Sequence, residues 1–436
     1  MRGFSDATVH FSPDGSKLGV WAAPWLADTT TAVRPPSPGK YEPDLWIIPT
    51  GEADPHVAPR LTPDFGPYAI TFSWLPDSRH VVTALRPLHT PGGHLWLADT
   101  ERPFARPLTV SSASEVEPAV SPDGLSIAVS IQERDYHIVE LDVDRSTPSL
   151  VLATSRNEAD PAWSPTGGQM AFMTDRSGRD EIWLRSPSGE WERPLVTAQD
   201  FASQTYLVSA PAFSPDGQRV AYHRLGSDGN RIWITPVAGG PPVRVASGEH
   251  SQDSPSWSPD GAWVAYVQGL RGEWSLEKVR VGATIAPEIL ANDILPDSRV
   301  AWSPDGAWIA YNGRAGLTLV SPEGTSKRVI QEQTWYAFAW SADSRQLYGI
   351  RPSDDFHHLT FTSLDIRSAL EHVLAPDFLA LPLSPVPVSG FSRISPTRFA
   401  TSVVHVQSDV WLLEGFNAPQ DRWDHLAGAL RFWRRP

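Results

Sequence analysis

Trp302-Ser303-Pro304-Asp305-Gly306, followed by Ile309-Ala310-Tyr311, is the stretch that decides the fold. Proline presets φ for the second position of a type I turn and aspartate suits the third. Glycine takes the left-handed position that closes a hairpin with a bulge. The phrase therefore joins two antiparallel strands. Clean copies stand at Ser12–Gly15, Ser121–Gly124, Ser214–Gly217 and Ser258–Gly261, and worn copies start at Leu75, Ser164, Ser341 and Ser395. Self-similarity at a spacing of about forty residues marks one supersecondary unit used many times.

Each unit reads as four strands, A to D. Strand A ends on a large aromatic before the turn: Phe11, Trp74, Trp163, Phe213, Trp257, Trp302 or Trp340. These rings are expected to wedge between neighbouring units. Strand B follows the turn, as in Val220-Ala221-Tyr222 and Val264-Ala265-Tyr266. Strand C often carries tryptophan, as in Leu45-Trp46-Ile47, Ile182-Trp183-Leu184 and Val410-Trp411-Leu412, and strand D is short, as in Pro194-Leu195-Val196. Tandem four-stranded units with tight turns and no helical periodicity predict an all-β fold, a β-propeller of four-stranded antiparallel blades. Eight blades are expected, with nine as the alternative, because the copy at Ser395 lacks an obvious fourth strand. The propeller is expected over residues 1–416. Residues 417–436 form a tail with Trp423, Leu426, Leu430 and Trp433 near helical spacing, read as a short amphipathic helix or a loose end.

These residues resemble the TolB-like, or PD40, branch of the WD40-like propellers, since Trp-Ser-Pro-Asp-Gly followed by a small-aromatic strand recurs in register. The closing segment Ser408–Phe416 is also similar to the end of the propeller in such proteins. The resemblance implies a propeller of the kind often appended to a sensor, regulator or kinase module.

Composition narrows the partners. Thirty-six basic against fifty acidic residues give a net charge of -14, which argues against a nucleic-acid backbone as a partner. The absence of cysteine excludes disulfides and thiolate metal sites. No apolar run is long enough for a transmembrane helix. Residues Met1–Ala7 enter the first repeat without an apolar signal core, which favours a cytoplasmic location unless upstream sequence is missing.

Long insertions fall in the B–C and D–A connections, which emerge on one face of a propeller because the strands alternate direction. That face is the candidate binding surface. Arginines follow strand B at Arg86, Arg134, Arg176, Arg224, Arg271, Arg314 and Arg351, and acids precede the next inner strand at Glu117, Asp160, Asp253 and Asp297. Two readings stay open: inter-blade ion pairs that lock this face, or an arginine-lined mouth for an acidic peptide or sugar. Histidines also gather there, at His89, His94, His223, His250, His357, His358 and His405. His223, His357 and His358 are the candidate ligands of a divalent metal, although no His-Glu-x-x-His spacing is present.

The sequence has no Gly-x-Ser-x-Gly elbow and no phosphate-cradling Gly-rich loop. The expectation is a non-catalytic scaffold that binds a protein or peptide through the B–C/D–A face, with no cofactor. Two alternatives remain. One is a metal-dependent enzyme on an acidic oligosaccharide, by similarity to oligogalacturonate lyases; the other is the sensory half of a larger regulator or peptidase.

Overall fold

The structure, a computed structural model, describes residues 8–22, 44–51, 56–57, 71–85, 93–102, 105–110, 114–145, 147–246, 250–270, 273–283, 286–296, 298–354, 357–380 and 388–416. Among these residues the regular elements are strands and one 3₁₀ turn, Ala198–Asp200, and the strands form eight sheets. The tail at 417–436 lies outside the described residues. Two compact units are present: Met1–Glu133 with Val406–Pro436, and Arg134–His405.

The Ser-Pro-Asp-Gly phrase makes the turn that its chemistry predicts. Gly306 has φ +78° and donates its N–H to the Ser303 carbonyl at 3.0 Å. Ser303 Oγ donates to Asp305 Oδ1 at 2.6 Å and accepts the Trp308 N–H at 2.9 Å. The same Asp305 oxygen accepts the Ala307 N–H at 3.0 Å, so the carboxylate and the hydroxyl between them take the two N–H groups that leave the turn. In two of the worn copies, at Leu75 and Ser341, serine replaces glycine at the left-handed position, with φ +55° at Ser78 and +59° at Ser344. Each serine then hydrogen-bonds the preceding turn: Ser78 Oγ accepts the Asp14 N–H at 3.1 Å, and Ser344 Oγ accepts the Asp305 N–H at 3.0 Å.

In the larger unit six sheets surround one axis. Their inner strands are Glu158–Trp163, Thr205–Phe213, Ser251–Trp257, Val300–Trp302, Ala337–Trp340 and Val388–Arg393. Neighbours in this order pack against each other, and the last packs against the first, so the ring closes. The first five blades each use four consecutive strands. The sixth is assembled from both ends of the unit, in the order Ser149–Leu152, Ser126–Asp142, Arg398–Glu414, Val388–Arg393.

This assembly departs from the repeat-by-repeat reading. In the copies at Ser121 and Ser395, strands B and C do not form a hairpin; they run on as single 17-residue strands, Ser126–Asp142 and Arg398–Glu414. Each begins in one unit and ends in the other. The two repeats thereby exchange their C strands. The physical reason is local: Ser130–Ile138 and Thr401–Leu413 contain no glycine or proline, whereas other B–C connections turn at Gly178, Gly229 or Gly316 with positive φ. Of the eight sheets among the described residues, the six of the larger unit share this axis.

The smaller unit holds a sheet from Thr8 to Val57, a sheet from Phe72 to Pro107, and the strands Ser114–Val120, Ser126–Glu133 and Val406–Glu414. Leu413 and Phe416 pack with Leu75, Leu97, Ile127 and Val129 in its core. The wedge rings Trp74, Phe213, Trp257 and Trp340 are buried as expected, but Phe11 is 66% exposed because no described sheet covers its side.

Candidate functional site: the axial cavity of the larger unit

The inner strands carry a feature that the turn phrase does not announce. Asp160-Pro161, Ala210-Pro211 and Ser254-Pro255 stand at equivalent places, and Asp160, Ala210 and Ser254 have φ of +51°, +51° and +53°. At each pair the register against strand B slips, a β-bulge. Proline lacks the N–H that a ladder needs, so a bulge is where a strand can hold it. Gly390-Phe391 makes the same bulge in the sixth blade with φ +67°. A Cβ on Gly390 would stand 2.7 Å from Asp160 Cα, so only glycine fits at this blade contact. The recurring X-Pro three residues before the turn was visible in the sequence, and it is the signal that turn-centred reading passes over.

Because strand A runs from the D–A connection to the A–B turn, these bulges lie at the D–A end of the axis. Below them, one residue before each wedge ring, or before Arg393 in the sixth blade, the wall carries small side chains: Ala162, Ala212, Ser256, Ala301, Ala339 and Ser392. The two serines hold adjacent blades together, Ser256 Oγ accepting the Trp302 N–H at 2.9 Å and Ser392 Oγ accepting the Trp163 N–H at 2.6 Å. Small side chains on the axis leave a cavity of about 290 Å³, walled by all six inner strands.

Only Asp160 and Arg299 carry charge in that wall. They come from the first and fourth blades and meet across the axis, Arg299 Nη2 donating to Asp160 Oδ1 at 3.1 Å. Asp160 is buried and fully engaged. Its Oδ1 also accepts the Ser389 hydroxyl, and its Oδ2 accepts the Ala210 N–H at 2.9 Å. Arg299 Nη2 bonds Ser389 Oγ at 3.0 Å as well. Nε and Nη1 of Arg299 have no partner among the described residues, and the side chain keeps 25% of its exposure.

The arginines singled out from the sequence lie elsewhere. Arg176 Nη2 bonds buried Glu158 at 3.0 Å and Nη1 bonds Glu192, with the guanidinium over the Trp183 ring at 4.6 Å. Burial pushes the Glu158 carboxyl up, against the downward pull of Thr154 and Arg176. Arg224 is fully buried, bonded to Asp228 at 2.7 Å and Thr205 at 2.9 Å, and stacked on Phe201 at 4.2 Å. Arg351 bonds Glu371 at 2.6 Å and Asp354 at 3.1 Å. Each of these networks stays within one blade. The expected inter-blade ion pairs are therefore not formed by these three, because the acids that reach them stand on strands or in the B–C connection of the same blade. Arg314 is exposed; Arg86 and Arg271, with Asp297, lie outside the described residues, as does the side chain of Arg134. An arginine that does form an inter-blade ion pair is Arg299, in the D–A connection one residue before the inner strand Val300–Trp302 rather than in a B–C loop.

His223 is buried in the second blade, with Nδ1 at 2.9 Å from Ser209 Oγ and 3.7 Å from Asp253. In the fifth blade His358 Nδ1 lies 3.8 Å from Asp377, and His357 is exposed. The structure does not bring His223 together with the other two, and among the described residues no three His, Asp or Glu side chains are grouped as metal ligands.

The TolB β-propeller domain family matches residues 198–384. That stretch carries TolB-type propeller repeats. The chain is 26% identical over 122 residues to the Tol-Pal system protein TolB of Anaeromyxobacter dehalogenans, covering 28% of this chain and 26% of that protein. It is 30% identical over 201 residues to the uncharacterized peptidase YuxL of Bacillus subtilis, covering 36% and 30%. The chain thus spans well under half the length of both relatives. A TolB-like structure from Agrobacterium tumefaciens superposes with a TM-score of 0.50 at 17% identity, over 63% of this chain and 99% of that one, and supports the TolB-type propeller fold. No helix among the described residues is long and apolar enough to cross a membrane.

Proposed function

We propose that this chain is a non-catalytic propeller module that binds a protein or peptide through the B–C/D–A face of its larger unit, with an extended segment entering the axial mouth. The observation that carries this reading is the wall of the axial cavity. Rigid inner strands present prolines, aromatic rings and small side chains around free space, and one partly exposed arginine sits among them. A preformed, mostly apolar cleft with a few placed polar groups is the usual form of a binding site. Ala339 belongs to that wall and to none of the blade cores, so filling it tests the reading directly. Peptides selected from a displayed library on the native chain should lose binding to Ala339→Trp while its melting temperature stays within a few degrees. Undiminished binding to a folded Ala339→Trp chain would place the contact away from the axis and defeat the proposal.

A further inference from the structure

We infer that Arg299 is the anchor for a ligand carboxylate inside the axial cavity; this rests on the peptide-binding reading above and specifies its chemistry. Arg299 reaches across the axis to Asp160, yet it uses Nη2 alone for Asp160 and Ser389. Nε and Nη1 keep N–H groups without a partner among the described residues, on a side chain that lines the cavity and is one-quarter exposed. An arginine held on one side by a buried carboxylate and open on the other is already oriented for a second anion, and charge-assisted hydrogen bonds are the stronger class.

The wall decides which anion. Asp160 and Arg299 are its only charges, so the site is neutral before a ligand arrives. A singly charged carboxylate meets about half the repulsion from Asp160 that a doubly charged phosphate would, so it shares the guanidinium at a smaller cost. Pro161, Pro211, Pro255, Phe338 and Phe391 surround the pair with apolar surface. That surface suits the side chain beside a carboxylate better than the hydroxyls of a sugar chain. The cavity, about 290 Å³, admits a peptide end or one acidic side chain rather than a folded element. Both sources offer the same group: a free C-terminus, or an internal glutamate or aspartate.

Tryptophans in the wall, Trp163, Trp302 and Trp340, give a fluorescence readout on the whole chain. The probes are N-acetyl-Ala-Phe with a free carboxylate, its C-terminal amide, and N-acetyl-Glu-Phe-amide. At least one acid should bind the native chain tenfold or more tightly than the neutral amide, and which acid does so identifies the source. Arg299→Gln should erase that preference. Asp160→Asn, which leaves the guanidinium uncompensated, should strengthen binding of the acid, an opposite change that loss of folding cannot imitate. Equal binding of acid and amide to the native chain overturns the carboxylate anchor while the peptide-binding reading stands. Failure of all three probes to bind overturns both. Should Arg299→Gln fail to fold, a weaker or unchanged affinity of Asp160→Asn for the acid still overturns the inference.

Discussion

Replacing Arg176 by methionine tests whether the B–C arginines serve the blades or a ligand. Arg176 holds Glu158, which is fully buried, and Glu192, while its guanidinium lies over Trp183. Methionine keeps an unbranched side chain against the ring and removes both ion pairs. Glu158 would be left with the Thr154 hydroxyl at 2.9 Å, and its Oε2 already has no hydrogen-bond partner. Breaking a buried pair from one side costs about 3–5 kcal/mol. Arg176 is 24% exposed, so water recovers part of that cost and the lower end, about 3 kcal/mol, applies. For a domain of this size that corresponds to a fall in Tm of about 6–12 °C.

The deficit also has a pH signature. Burial already raises the folded Glu158 carboxyl above its ordinary value. An acid raised in the folded state binds its proton more tightly there than in the unfolded chain, so its contribution favours folding at low pH and is lost as pH rises. Without Arg176 the folded value climbs further. The variant should therefore be weakest near neutral pH and recover toward about pH 4, where the unfolded glutamate takes up its proton too. Thermal melts followed by circular dichroism at pH 7.5 and pH 4.5 measure both effects, and adding Glu158→Gln should restore most of the loss at pH 7.5. A Tm within 2 °C of the parent at pH 7.5, or the same deficit at both pH values, would refute the reasoning.

Four further substitutions separate structure from repetition. Trp340→Ala should cost about 3–5 kcal/mol and Phe11→Ala under about 0.5 kcal/mol, although both occupy the wedge position, because Trp340 is buried and Phe11 is exposed; equal losses in urea melts would contradict the blade assignment. Gly390→Ala adds a Cβ against Asp160 and Pro161 at a positive φ and should destabilise by about 2–4 kcal/mol, with a loss below about 0.5 kcal/mol showing that this contact is loose. In the turn at Ser258, the Ser258 hydroxyl and the Ala262 N–H hold the Asp260 carboxyl below its ordinary value. Such an acid adds stability above its unfolded value of about 3.9, lost as pH falls through the folded value. Ser258→Ala should cost about 0.5–1.5 kcal/mol at neutral pH and start acid unfolding at a higher pH; an unchanged acid-melting curve would rule this out.

Much of this molecule was determined by sequence alone, because its decisive signals are local. Ser-Pro-Asp-Gly prescribes a turn by the φ preferences of its own residues, and the aromatic before it and the small-aromatic strand after it prescribe a blade. The absence of glycine and proline at Ser130–Ile138 and Thr401–Leu413 is a local signal too, but reading each repeat as four separate strands passed over it, and only the pairing of these strands shows what it does. Blade count around the axis depended on that pairing. Strands distant in the chain had to find each other, and no property of either segment names its partner. The site was decided in the same way. Arg176, Arg224 and Arg351 look like Arg299 in the sequence, and a guanidinium pairs with whichever carboxylate folding brings within reach. For three of them that carboxylate stands in their own blade; for Arg299 it is Asp160, 139 residues away and on the far side of the channel.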